Sequence, residues 1–131
     1  MVSSEIVEVE DMETWEQLVE KSKKPVLVMF YNLSCPHCLV MEPYFVQYAK
    51  EFNGKVVFVK VNVTDSPSIA AKYGVMGTPT FKFFCDGHPI QEQVGEFYPA
   101  LIKKIVDDGL TFGAECAKKA SWFSVDITGY A

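Results

Sequence analysis

Apolar residues along this chain fall into short blocks whose spacing switches between strand and helix. Ile6, Val7 and Val9 form a short first strand, and Asp11 then stands as a helix cap ahead of Trp15, Leu18 and Val19 at helical spacing. Pro25 closes that stretch and opens Val26-Leu27-Val28-Met29-Phe30-Tyr31, which is so uniformly apolar that it reads as a strand covered on both faces. Leu39, Tyr44, Phe45, Tyr48 and Phe52 recur at helical spacing up to an Asn53-Gly54 stop, with Pro43 inside as an expected kink. Val56 to Val63 is a β-branched strand, and Ser66-Pro67 starts a short helix through Tyr73. Thr80 to Cys85 is another strand, Asp86-Gly87 a hairpin turn, and Ile90 to Val94 the returning partner. Tyr98 through Val106 makes a last amphipathic helix that should end near Gly109.

Strands alternating with helices imply a central sheet with parallel crossovers and helices on both faces, so the class is α/β. The closing hairpin adds an antiparallel pair. No repeat or low-complexity tract interrupts this order.

Composition narrows the function. At 131 residues the chain fits one domain, and 49% hydrophobic with 22% charged residues is the balance of a folded globule. A formal charge of −5 argues against nucleic-acid binding, which needs a basic stripe. The acidic residues near the start (Glu5, Glu8, Glu10, Asp11, Glu13, Glu16) read as a solvated surface. The longest apolar run, Pro25 to Tyr31, is far below the roughly twenty residues of a membrane span. Met1-Val2-Ser3-Ser4-Glu5 has neither a basic start nor an apolar stretch, so no secretion signal is read and a cytoplasmic location is expected.

Four cysteines in such a chain suggest catalysis or metal binding before a disulfide framework. Cys35 and Cys38 are separated by Pro36 and His37 where a buried strand gives way to a helix. Cys35 then caps the helix, and its sulfur lies close to unpaired N–H groups. Those donors and the helix dipole stabilise a thiolate and should lower its pKa. Pro36 at the first helical position costs nothing, since its missing N–H had no partner. His37, if it meets the thiolate as a cation or donor, favours the reduced pair and makes it more oxidising; the alternative is a solvent-facing histidine with little influence. Cys35 is expected to attack a substrate disulfide, and Cys38, one turn inside, to resolve the mixed disulfide.

With these residues in view, the chain resembles the thioredoxin family over roughly residues 5 to 110. Beyond the cysteines, the match lies in Lys72-Tyr73-Gly74-Val75-Met76-Gly77-Thr78-Pro79-Thr80, in Pro43, in Lys60 and Asn62, in Asp86-Gly87 and in Val94-Gly95. The resemblance implies a thioredoxin fold: a central mixed four- to five-stranded sheet flanked by helices, over residues 1–111. Residues 112–131 would form a short C-terminal extension, packed on the domain or docking a partner. It also implies a cis Thr78–Pro79 bond against the cysteine pair and backbone at Gly77 and Thr78 open to an extended substrate segment. Met76, Pro36, Gly95 and Leu33 would rim that groove, although Met76 reads equally well as a filler. The implied activity is disulfide reduction in proteins, without a cofactor and by a monomer, with a thioredoxin reductase as electron donor.

Two positions depart from the family pattern. Ser34 replaces the usual tryptophan before the first cysteine, and Met29 stands where the family has a buried aspartate that relays a proton to the resolving thiol. Lys60 thereby loses its expected partner and must reach water or become neutral. Glu42, one turn beyond Cys38, is either a substitute proton acceptor or a surface carboxylate.

The Cys-Pro-His-Cys tetrapeptide resembles that of disulfide-forming oxidases more than the usual thioredoxin sequence. A more oxidising oxidase or isomerase is therefore the first alternative, and a non-catalytic binding module the second. Glutaredoxin-type chemistry is disfavoured, because Pro79 leads into Thr80-Phe81-Lys82 rather than a glutathione clamp. A zinc site from Cys35, Cys38, Cys85 and His88 would have to bridge about 16 Å of strand, so no metal is expected. Cys85 and Cys116 read as structural thiols.

Overall fold

The computed structural model describes residues 6–111. The elements follow the expected order: β1 (Ile6–Glu8), α1 (Met12–Trp15, continued as a π-helical turn over Glu16–Glu20), β2 (Val26–Tyr31), α2 (Pro36–Glu51), β3 (Val57–Asn62), α3 (Pro67–Lys72), β4 (Thr80–Cys85), β5 (His88–Val94) and α4 (Ala100–Thr111). The five strands form one sheet in the order β1-β3-β2-β4-β5. The first three run parallel, as crossover connections require, while β4 and the hairpin strand β5 are antiparallel.

β2 occupies the centre, and successive side chains divide between two cores. Leu27 and Met29 face α2 and α4 with Cys38, Met41, Phe45, Phe81, Phe83 and Val106. Val26, Val28 and Phe30 face α1 and α3 with Trp15, Val19, Val61, Ile69 and Phe84. This explains why β2 lacks the polar alternation of a half-exposed strand.

Asp11 caps α1 as expected, its Oδ1 accepting the Thr14 N–H at 2.6 Å. The π turn was not legible: Lys21 donates to the Glu16 carbonyl at 2.8 Å, five residues back. At its end Glu20 gathers three donors on one oxygen: Trp15 Nε1 at 3.1 Å, Lys72 Nζ at 2.6 Å and the Tyr73 hydroxyl. The buried indole is thus satisfied and α1 is tied to α3.

Gly109 corrects a sequence expectation. It lies inside α4, which runs on to Thr111. A Cβ there would stand 2.0 Å from Cε2 of Phe83, so the missing side chain lets the helix settle on the sheet. Glycine at a helix end and glycine at a close contact give the same sequence signal. The 112–131 extension lies outside the described residues.

Candidate active site

Buried β2 ends at Tyr31, and the chain turns through Asn32, Leu33 and Ser34 before entering α2. Asn32 shapes this turn: its Oδ1 accepts both the backbone N–H and the hydroxyl of Ser34, each at 3.0 Å. Cys35 is the N-cap of α2 in extended conformation and Pro36 the first helical residue, as the sequence predicts. The Cys38 N–H points at Cys35 Sγ from 3.1 Å, an orphan helix donor aimed at the sulfur that would carry the thiolate charge. Cys35 and Cys38 are joined as a disulfide, with Cα atoms 5.2 Å apart. In this form both are buried, Cys35 at 8% exposure and Cys38 at 3%, so their difference in access is smaller than expected.

Thr78–Pro79 is cis. The Thr78 carbonyl lies 3.5 Å from Cys35 Sγ, which brings the segment before β4 onto the disulfide. Two further bonds fix that segment. The Thr80 hydroxyl donates to the Gly77 carbonyl at 2.6 Å, and the Gly95 N–H donates to the Pro79 carbonyl at 2.7 Å. Gly95 has φ +88°, a left-handed conformation that glycine adopts without steric cost. Met76 is 95% exposed and Leu33 79%, so neither fills the core.

Behind the cysteines, Met29 on β2 lies opposite Lys60 on β3 and Phe81 on β4. Lys60 is neither bare nor dependent on water. Its Nζ donates to Glu42 Oε2 at 2.8 Å and lies 4.5 Å from the centre of the Tyr31 ring. Tyr31 donates in turn to Glu8 Oε2 at 2.8 Å. Loss of hydration pushes the Tyr31 hydroxyl well above its ordinary pKa, and its bond to Glu8 adds to the effect. Desolvation also raises the Glu8 carboxyl, against the bond from Tyr31 and the charge of Lys60. Pro43 falls inside α2 as expected, one residue past Glu42.

His37 has a partner that the sequence reading missed. Its Nδ1 is 2.6 Å from Oε1 of Glu96, the residue after Gly95. Fifty-nine positions separate the two, so no local pattern could have paired them. Cys85 lies at the far end of β4, buried and disulfide-bonded, which corrects its reading as a plain thiol. Cys116 lies outside the described residues. No cluster of three or more metal-ligating side chains occurs among the described residues, and no helix there is long and apolar enough to cross a membrane.

The family model for thioredoxin matches residues 6–108. The chain belongs to the thioredoxin family. Among curated relatives, thioredoxin M5, chloroplastic, from Oryza sativa subsp. japonica is 36% identical over 106 residues, or 81% of this chain and 61% of that protein. Thioredoxin 1 of Synechococcus elongatus is 33% identical over 97 residues, covering 74% of this chain and 91% of that one. The solved structure of Malassezia sympodialis thioredoxin (Mala s 13) superimposes with a TM-score of 0.73 at 27% identity, covering 79% of this chain and 89% of that one. The chain spans 61%, 46% and 59% of the length of three chloroplastic relatives it matches, from rice, Brassica napus and Pisum sativum. The matched thioredoxin domain carries a Cys-x-x-Cys disulfide at a strand-to-helix junction, the architecture of a thiol–disulfide oxidoreductase.

Proposed function

We propose that the protein reduces disulfides in other proteins. The observation that carries this reading is the convergence on Cys35 Sγ of the Cys38 N–H and the Thr78 carbonyl, at the helix start and beside the cis-proline. The Cys35 thiolate attacks one substrate sulfur, and the other leaves as a thiolate that takes a proton from solvent. The Cys38 thiol gives its proton to a nearby base, with Glu42 as candidate, and attacks Cys35 Sγ. The second substrate sulfur leaves as a thiolate that takes a proton from solvent, and the Cys35–Cys38 pair holds a disulfide, oxidised by two electrons. His37 and Pro36 belong to this site as the residues between the cysteines, with Lys60 and Pro43 in support. An extended substrate lies along Met76, Gly77, Thr78, Pro79 and Gly95, pairing with backbone at Gly77 and Thr78.

A thioredoxin reductase restores the dithiol, and the protein acts as a monomer. The cytoplasm suits the cycle because it keeps dithiols reduced. The chloroplastic names of several relatives make a plastid the rival compartment, which imaging of a tagged full-length protein would decide.

Equilibration of the Cys35–Cys38 pair against glutathione tests the direction. A potential near the roughly −270 mV typical of thioredoxin supports the reductant, and one nearer about −180 mV means an oxidant or isomerase. Cys38→Ser should trap a mixed disulfide with substrate; a variant that turns over normally would remove the proposed division of roles.

A further inference from the structure

His37 and the reductant direction pull against each other. A cation beside the active-site thiolate stabilises the reduced pair and so makes it a better oxidant. The ion pair of His37 among the described residues is with Glu96, at 2.6 Å. We propose that Glu96 is a positioning residue that acts through His37 to shift the Cys35–Cys38 equilibrium toward the disulfide. The inference rests on the reductant reading above.

Two contacts and one chain link bring Glu96 to this point. Cys35 Sγ touches the Thr78 carbonyl, the Pro79 carbonyl accepts the Gly95 N–H, and Glu96 follows Gly95 directly. Gly95 turns the chain with φ +88°. The carboxylate is thus delivered to the helix start by the loop that borders the cis-proline. His37 occupies the first turn of α2, next to Cys38, whose N–H faces Cys35 Sγ.

Charge balance gives the sign. In the disulfide form there is no thiolate for either group to act on. In the reduced form the imidazolium attracts the Cys35 thiolate and the carboxylate repels it, so the pair adds little net field. Removing the carboxylate leaves the cation uncompensated and favours the reduced form. The magnitude is modest, because the His37 and Glu96 side chains are 63% and 42% exposed and water screens them. A change of about fivefold in the equilibrium constant is expected.

The test equilibrates the full-length protein, Glu96→Gln, His37→Ala and the double variant against glutathione, with Cys35 alkylation read by peptide mass. All four proteins are equilibrated at about pH 6. Glu96→Gln should raise the ratio of dithiol to disulfide about fivefold. The same change made in the His37→Ala background should alter it by less than about twofold. A Glu96→Gln ratio within about twofold of the unmodified protein overturns the proposal, even if substrate kinetics change. An equal shift with His37 absent also overturns it, since Glu96 would then act by another route. If the unmodified protein itself equilibrates in the oxidant range, the reductant reading fails, while the ratio between the two proteins still decides the role of Glu96.

Discussion

Lys60 stands directly opposite Met29 on neighbouring parallel strands, yet its ammonium turns to Glu42 on α2 at 2.8 Å. The carboxylate that Lys60 meets thus lies on the helix that carries Cys38. Lys60 is held at 14% side-chain exposure, whereas Glu42 keeps 41% and remains open to water. A carboxylate with that access can pass a proton on to water.

If Glu42 accepts the proton from Cys38, Glu42→Gln should slow resolution of the mixed disulfide about tenfold or more and leave attack by Cys35 unaffected. Met29→Asp should restore the rate in that variant and raise it in the unmodified protein. Its expected cost is about 1–3 kcal/mol of stability, because a carboxylate enters a buried site. Single-turnover mixing with a trapped mixed disulfide measures the rate. Unchanged resolution in both variants would assign the proton to another acceptor.

Gly109→Ala should destabilise the domain by about 1–3 kcal/mol despite the better helix propensity of alanine, because the new Cβ meets the Phe83 ring at 2.0 Å. Gly77→Ala is the control: its Cβ would meet Val94 Cγ1 at an ordinary 3.9 Å. Urea unfolding should place the second variant within about 0.5 kcal/mol of the unmodified protein. Equal losses at both sites would contradict the close approach of α4.

Glu20 ties pH to stability. Burial alone would raise its carboxyl, but hydrogen bonds from Lys72, Tyr73 and Trp15 outweigh that and hold it below the usual range. A depressed folded-state pKa contributes stability above the unfolded value of about 4.3, and that contribution is lost as pH falls through the folded-state value. Glu20→Gln should therefore cost about 2 kcal/mol near neutrality, with the deficit shrinking below about pH 4. Denaturant curves across that interval read the convergence, and a constant deficit would mean that packing rather than charge is lost.

Met76→Lys should lower kcat/KM toward a protein disulfide about tenfold through loss of an exposed apolar anchor. Turnover of a small disulfide should hardly change, because it does not span the groove. Parallel assays on the two substrates separate these outcomes; equal losses would place Met76 in the chemistry instead of in docking.

Sequence pattern and structure agree for most of the local signals. Val26–Tyr31 is apolar throughout because both its faces are covered, and the Cys35 cap and Pro36 start follow from adjacent residues. The Asn32–Ser34 turn was legible in principle, since an Asn two residues before a Ser offers this bond. Glu42 was marked by its place on α2, but its bond to Lys60 depends on how that helix crosses β3. The pairing of His37 with Glu96 needs the whole fold. Gly109 shows the opposite failure, a local signal with two possible causes of which packing decided.

The division of the sheet into two cores also has an optical consequence. Trp15 is fully buried with Phe30, Tyr73 and Phe84 on the α1 and α3 side, whereas the disulfide lies across the sheet with Met29 and Phe81. Among the described residues no indole lies beside Cys35, which Ser34 precedes. The emission of Trp15 is therefore a gauge of whether the domain is folded and is blind to whether the cysteines are oxidised.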